Sequence, residues 1–229
     1  MVETLDNLRC GQAPKDVLDH VNSLLLNEDI RLKAARHSRA VVPLHEDTTL
    51  LDLLKPWVTA VLRRRKTRKD VRLGRGPTAA TMFPTCVGRI GRTGGGKLVA
   101  HQDFNPKDYP RQVAFSIVVL TRPVRTAADG PTIVYPGTKK MELDTKLRTR
   151  RLQSCTAIEL VGEAGDAFIF DAADYHEVLP VRPPLRVGTR GISSRAPCAA
   201  SASNDEVVRC NLVVGAWTAG MDNVFKFED

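Results

Sequence analysis

The sequence predicts a mostly-β, jelly-roll-type fold with an α-helical N-terminal region. Two observations predict it. Apolar residues recur at helical spacing through the first eighty residues, and past the break G-R-G-P at 74–77 the period changes to two. In 14–27, Pro14 and Asp16 stand near the start of a helix whose apolar face holds Val17, Val21, Leu24 and Leu25. The stretch 47–65 repeats that pattern with Leu50, Leu53, Leu54, Trp57, Val58 and Leu62, and Pro56 is expected to kink it or to open a new first turn. Further on, Val113, Phe115, Ile117 and Val119 alternate, as do Phe168 and Phe170, which predicts half-buried strands. Residues 132–135 and 207–217 read as further short strands between Gly, Pro and Asp turns. Short strands with long returns and no βαβ rhythm indicate an antiparallel sandwich or jelly roll. The expected division is a helical region, 1–75, packed on a β domain, 76–229.

A chain of 229 residues suffices for one substantial core but hardly for two enzymatic domains. No apolar run approaches the roughly 18 residues of a membrane span, and MVETLDNLRC lacks a basic-then-apolar leader pattern. The expectation is an intracellular protein, cytoplasmic or nuclear, with no membrane partner. Cys10, Cys86, Cys155, Cys198 and Cys210 are odd in number and scattered, without a C-x-x-C pair, so reduced thiols are expected. The net charge of +8 favours anionic partners. Much of it lies in two basic stretches, 63–72 and 139–151. Their ordinary reading is a solvated helix end and an exposed loop. The functional one is a contact with nucleic acid or an acidic protein, although neither stretch carries the aromatic residues that single-strand binders stack on bases.

The stretch GRTGGGKLVAHQDF, 91–104, admits two chemistries. From Gly91 it runs G-x-x-x-x-G-K, like a phosphate loop, but Leu98 stands where that loop needs Ser or Thr for magnesium, and a strand-like segment follows instead of a helix. Its end places His101 and Asp103 two positions apart. A two-histidine, one-carboxylate iron site needs a second, distant imidazole. His176 supplies it, following the apolar strand of GEAGDAFIFDAADYHEVLPV; His20, His37 and His45 lie in the helical region without such context.

The segments HQD, DGPTIVYPG and AGDAFIFDAADYHEVLPV, taken in order, resemble the 2-oxoglutarate and Fe(II) dependent dioxygenases, and especially their prolyl-hydroxylase-like branch. Arg111 and Tyr135-Pro136 also stand where that family has an Arg opening a strand and an F-P or Y-P pair. The resemblance covers roughly residues 80–195 and implies a double-stranded β-helix (jelly-roll, cupin-like) core with supporting helices. It implies Fe(II) held by His101, Asp103 and His176, with 2-oxoglutarate and O2 as co-substrates and ascorbate sustaining the iron. The reaction implied is hydroxylation of an unactivated C–H bond coupled to decarboxylation of 2-oxoglutarate to succinate.

The family also places an Arg or Lys on the strand after the distal histidine, to pair with the far carboxylate of 2-oxoglutarate. The segment PVRPPLRVGTRGIS departs from the pattern with two extra prolines and offers Arg182, Arg186 and Arg190. Spacing favours Arg186, and the G-T-R-G-I-S context favours Arg190. The substrate implied first is a protein or peptide side chain. The alternatives are a methylated nucleobase in DNA or RNA, reached through the basic stretches, and a non-catalytic jelly-roll binding module.

Overall fold

A computed structural model describes residues 4–25, 39–64, 80–92, 97–103, 114–141, 145–182 and 207–218. The chain opens with α1 (Leu5–Leu8), β1 (Arg9–Gln12), α2 (Lys15–Leu25), β2 (Arg39–Pro43) and α3 (Thr48–Arg64). It continues through β3 (Ala80–Arg92), β4 (Leu98–His101), β5 (Ala114–Leu120) and β6 (Thr132–Tyr135). Then come α4 (Thr145–Leu152), β7 (Ile158–Leu160), β8 (Asp166–Asp171), β9 (Tyr175–Val178) and β10 (Val207–Thr218).

The strands form two antiparallel sheets, in the orders β1-β8-β5-β10-β3-β2 and β4-β9-β6-β7, an arrangement consistent with jelly-roll and cupin-like folds. Three apolar layers hold them. Outside the larger sheet, Val17, Val21 and Leu25 of α2 and Leu50, Leu54 and Val58 of α3 pack with Ile117, Val119, Ile169 and Leu212. Between the sheets lie Val118, Leu120, Val134, Leu160, Phe168, Phe170 and Val213. Behind the smaller sheet, Leu152 at the end of α4 packs with Ala100, Ile133, Tyr135 and Tyr175.

Two expectations change. The N-terminal region is not helical throughout, because β1 and β2 form the two edges of the larger sheet among the described residues. The motif G-D at 165–166 explains the first edge. Gly165 adopts φ +94°, where a Cβ would fall on the Gln12 side chain, and the Asp166 carboxylate receives Arg9 Nη1 at 2.6 Å and Gln12 Nε2 at 2.5 Å. The boundary expected at 75/76 lies outside the described residues. Secondly, β5 is buried on both faces rather than half-buried, since α2 and α3 cover the face opposite the inter-sheet layer. Val113 lies outside the described residues.

Helix α3 runs through Pro56 as one element. Pro56 and Asp52 are exposed, so water can satisfy the Asp52 carbonyl that the proline deprives of its donor. Asp47 caps the helix: its Oδ1 accepts from Leu50 N at 2.8 Å and lies 3.1 Å from His20 Nε2 of α2. The bond from Leu50 is the main reason that its carboxyl titrates below the usual value. Among the described residues, no helix is long and apolar enough to cross a membrane.

Candidate metal centre

Strands β4 and β9 pair so that His101 stands directly opposite His176. Their side chains therefore share a face, and the rings lie 4.3 Å apart between centroids. Two residues past His101, Asp103 is drawn back over the β8–β9 connection: its N–H donates to the Ala172 carbonyl at 3.0 Å, and Gln102 Nε2 donates to the Ala173 carbonyl at 2.5 Å. Asp103 Oδ1 thereby lies 3.4 Å from His101 Nε2 and 3.3 Å from His176 Nε2. All three ligand atoms fall within 4.8 Å of one another.

The remaining atoms of these side chains are already committed. His101 Nδ1 lies 2.9 Å from the Val99 carbonyl and His176 Nδ1 lies 3.2 Å from the Asp174 carbonyl. A carbonyl only accepts, so each Nδ1 carries a proton, which leaves Nε2 as the nitrogen that can offer a lone pair to an ion. This orientation by a backbone carbonyl is usual for metal-binding imidazoles. Asp103 Oδ2 accepts from Ser116 Oγ at 2.7 Å. Ligands at about 2.1 Å from one ion and at right angles to each other stand about 3.0 Å apart, so separations of 3.3 and 3.4 Å fit a slightly opened facial set. Two neutral imidazoles and one carboxylate suit Fe(II) or a similar divalent ion. His176 is buried, 2% exposed, with the Phe170 ring 5.1 Å away, whereas His101 and Asp103 are part-exposed. The centre thus opens to solvent on the H-x-D side.

The motif Y-P-G-T at 135–138 builds the turn that leads from β6 and seats β9. Gly137 takes φ +78°, and Thr138 Oγ1 donates to the Tyr135 carbonyl at 2.6 Å while accepting from Tyr175 N at 2.9 Å. Asp174, 5% exposed, accepts from Lys139 N at 3.1 Å. Burial, then the nearby Asp171 charge, push its carboxyl up to about 6, against the bonds from the Gly137 and Lys139 N–H groups. On the far face of the smaller sheet, Glu177 accepts from Tyr135 Oη at 2.9 Å and pairs with Lys97 Nζ at 2.6 Å. Burial, followed by Glu177, drives the Tyr135 phenol well above its usual range, so it stays a donor. The engagement of Lys97 with Glu177 gives it a structural partner in place of the phosphate that the glycine-rich loop suggested.

The structure brings His101, Asp103 and His176 together as the motifs predict. Arg186, Arg190 and Arg111 lie outside the described residues, and Arg182 donates its backbone N–H to the Ala128 carbonyl. Sequence reasoning missed Ser116, and it did not connect the strand it expected at 207–217 with the site; β10 is the next strand after β9 among the described residues. That strand carries Arg209 and, two positions on, Asn211, which is 3% exposed with an Oδ1 that has no hydrogen-bond partner among the described residues. The R-x-N pair opening an apolar strand was the signal available. Among the described residues, Cys155 is a thiol in no disulfide.

No family model matches the sequence, and no curated protein matches it. Solved structures share the fold. AviO1 from Streptomyces viridochromogenes Tue57 is 10% identical over 93% of this chain and 89% of that one, with a TM-score of 0.54. The nickel complex of the non-heme monooxygenase ThoJ is 14% identical over 92% and 72%, with a TM-score of 0.52. Apo EctD from S. alaskensis is 16% identical over 90% and 70%, with a TM-score of 0.52. At such identities the similarity is one of fold.

Proposed function

We propose that this chain is a 2-oxoglutarate- and Fe(II)-dependent dioxygenase that hydroxylates an unactivated C–H bond while 2-oxoglutarate is decarboxylated to succinate. The observation that carries the reading is the convergence of His101, Asp103 and His176, far apart in sequence, with their ligand atoms within 4.8 Å. The strand orders support it. β3, β10, β5 and β8 in one sheet face β4, β9, β6 and β7 in the other, the alternation of a double-stranded β-helix. Residues 76–229 are the proposed β-helix domain, and 1–75 supports it with helices and with the edge strands β1 and β2. A non-heme monooxygenase with nickel bound is among the proteins that share the fold.

Bound Fe(II) would supply the oxidising chemistry with O2, and ascorbate would keep it reduced. The protein's part is holding and shielding. His101 and His176 keep their Nδ1 protons on backbone carbonyls and offer Nε2 to the ion, while Asp103 offers Oδ1. Phe170 and Val134 keep water from the buried side of the centre. For the far carboxylate of 2-oxoglutarate we favour Arg209 over Arg190 and Arg186, because β10 lies between β5 and β3 and carries, two positions on, the buried Asn211, whose Oδ1 has no hydrogen-bond partner among the described residues.

The substrate proposed is a protein or peptide side chain. β4 is an edge strand among the described residues, and Val99, 65% exposed on it, stands two residues before His101, so an extended peptide can approach there. The nucleobase alternative loses two cations of the stretch 139–151 to contacts within the fold, while Lys140, Arg150 and Arg151 stay exposed. Arg148 is spent on the Ala100 carbonyl and the Tyr175 ring, and Lys139 on Asp171. The deciding experiment measures succinate from 2-oxoglutarate with Fe(II), O2 and ascorbate, against peptide, oligonucleotide and metabolite pools. Iron-dependent succinate, raised by peptides, is the expected result. A protein that binds the metal yet yields no succinate with any pool is a binding module, and the dioxygenase reading falls.

A further inference from the structure

We propose that Ser116 is the positioning residue of the metal centre, fixing Asp103 as a ligand through one oxygen only. The proposal rests on the metal reading of the triad and goes beyond it. Ser116 sits within the apolar run A-F-S-I-V-V-L of β5 and is 1% exposed. Its neighbours in the strand, Phe115 and Ile117, turn toward α2 and α3, so Ser116 faces between the sheets, level with Phe170 on β8 and Gly215 on β10. From there its hydroxyl donates to Asp103 Oδ2 at 2.7 Å. Oδ1 is the oxygen turned to both imidazoles, at 3.3 and 3.4 Å from their Nε2 atoms.

A carboxylate with two unengaged oxygens swings easily to grip a divalent ion through both, and the second oxygen then fills a coordination position. A hydroxyl donor on Oδ2 resists this in two ways. It holds the carboxylate plane against rotation, and it draws charge from the oxygen that would otherwise compete for the ion. The carboxylate is tethered at its other end too, because the Asp103 N–H is bonded to the Ala172 carbonyl. The Ser116 hydroxyl therefore favours a single Asp103 oxygen on the ion and keeps a further position open for exogenous ligands.

The test uses the full-length, metal-free chain titrated with Co2+. The visible absorption bands of bound Co2+ report its coordination number, without reference to turnover. Ser116→Ala removes the hydroxyl. Ser116→Thr and Ser116→Val are matched in shape and differ only in whether a hydroxyl remains, and Gly215 opposite brings no side chain against the added methyl. The expected result is that Ala and Val weaken Co2+ binding by about 10- to 100-fold and alter its bands, while Thr keeps both within a few-fold of the parent. Ala and Val variants with parental affinity and bands would overturn the proposal. If Ala fails to fold, equal affinities of Thr and Val overturn it alone. A parent chain that binds no Co2+ removes the metal centre itself and the positioning role with it, which separates the two failures.

Discussion

Removing the distal ligand gives the sharpest check on the centre. An ion that binds only the folded chain stabilises it by about 2.7 kcal/mol when present at 100 times its dissociation constant, and for a chain of this size each kcal/mol moves Tm by about 2–4 °C. The parent protein should therefore melt about 5–11 °C higher with saturating Mn2+ than with a chelator. His176→Ala takes away one of three ligands, a ring that is 2% exposed, bonded to the Asp174 carbonyl and set against Phe170. Without metal the loss of that bond and packing should cost about 1–3 kcal/mol. With metal the cost should grow by nearly the whole binding term, so the Mn2+-dependent rise in Tm should all but vanish. Thermal unfolding of both proteins, in chelator and in Mn2+, reads the two costs separately. An undiminished metal-dependent rise in the variant would mean that the ion sits elsewhere, and no rise in the parent would remove the centre.

Three further outcomes are expected. Asp47→Ala should cost about 1 kcal/mol near neutral pH, the usual worth of an N-cap. Because the folded carboxyl titrates below its ordinary value near 3.9, this contribution is present above that pH and is lost as pH falls through the folded value, so urea midpoints of variant and parent should converge below about pH 4. Tyr135→Phe should cost about 1.5–3 kcal/mol, the worth of a hydrogen bond to a charged group, since Glu177 is 7% exposed and keeps only Lys97 of the two partners described for it; an unchanged urea midpoint would show that the bond contributes nothing. Arg209→Ala should raise the KM for 2-oxoglutarate about 10- to 100-fold, by loss of charge-assisted hydrogen bonds, with smaller effects from Arg190→Ala and Arg186→Ala; the reverse ranking would move the anchor upstream of β10.

The triad was legible because ligand chemistry restricts residue type more tightly than packing does. H-x-D with a distant H-E-V leaves few histidines to choose among, and the apolar strand before His176 marks where its ring is carried. The faces of β5 were harder to read. Alternation assigned Phe115, Ile117 and Val119 to a core, which they do join, but that core is the one under the helices. Ser116, Val118 and Leu120, read by default as the solvent side, line the inter-sheet space. The unbroken run I-V-V-L was the available hint of burial on both faces. The strands β1 and β2 gave weaker signals still. R-C-G-Q has no apolar alternation, and its place as an edge is fixed from outside by Asp166, through bonds that no local pattern records. Close packing was equally hidden. A Cβ on Gly88 of β3 would clash with the Leu25 side chain of α2, so the sequence marks that approach only with a glycine inside a strand.

The two histidines face each other only in one register of β4 against β9, and a slip of one residue would turn one ring to the opposite face. The short strand β4 cannot hold that register by its own ladder, which is interrupted between Leu98 and His101. The register is fixed instead from the back of the sheet. Arg148 of α4 donates from Nη1 to the Ala100 carbonyl, one residue from His101, and lies over the ring of Tyr175, one residue from His176. Lys97, one residue before β4, reaches Glu177 on β9, and Tyr135 on β6 holds that carboxylate from the other side. Residues that touch neither metal nor substrate thus tie together the strands that carry both rings. The basic stretch 139–151, read from sequence as an exposed loop or a contact for anionic partners, instead includes α4, whose Arg148 is turned inward as a clamp on the strands of the candidate metal centre.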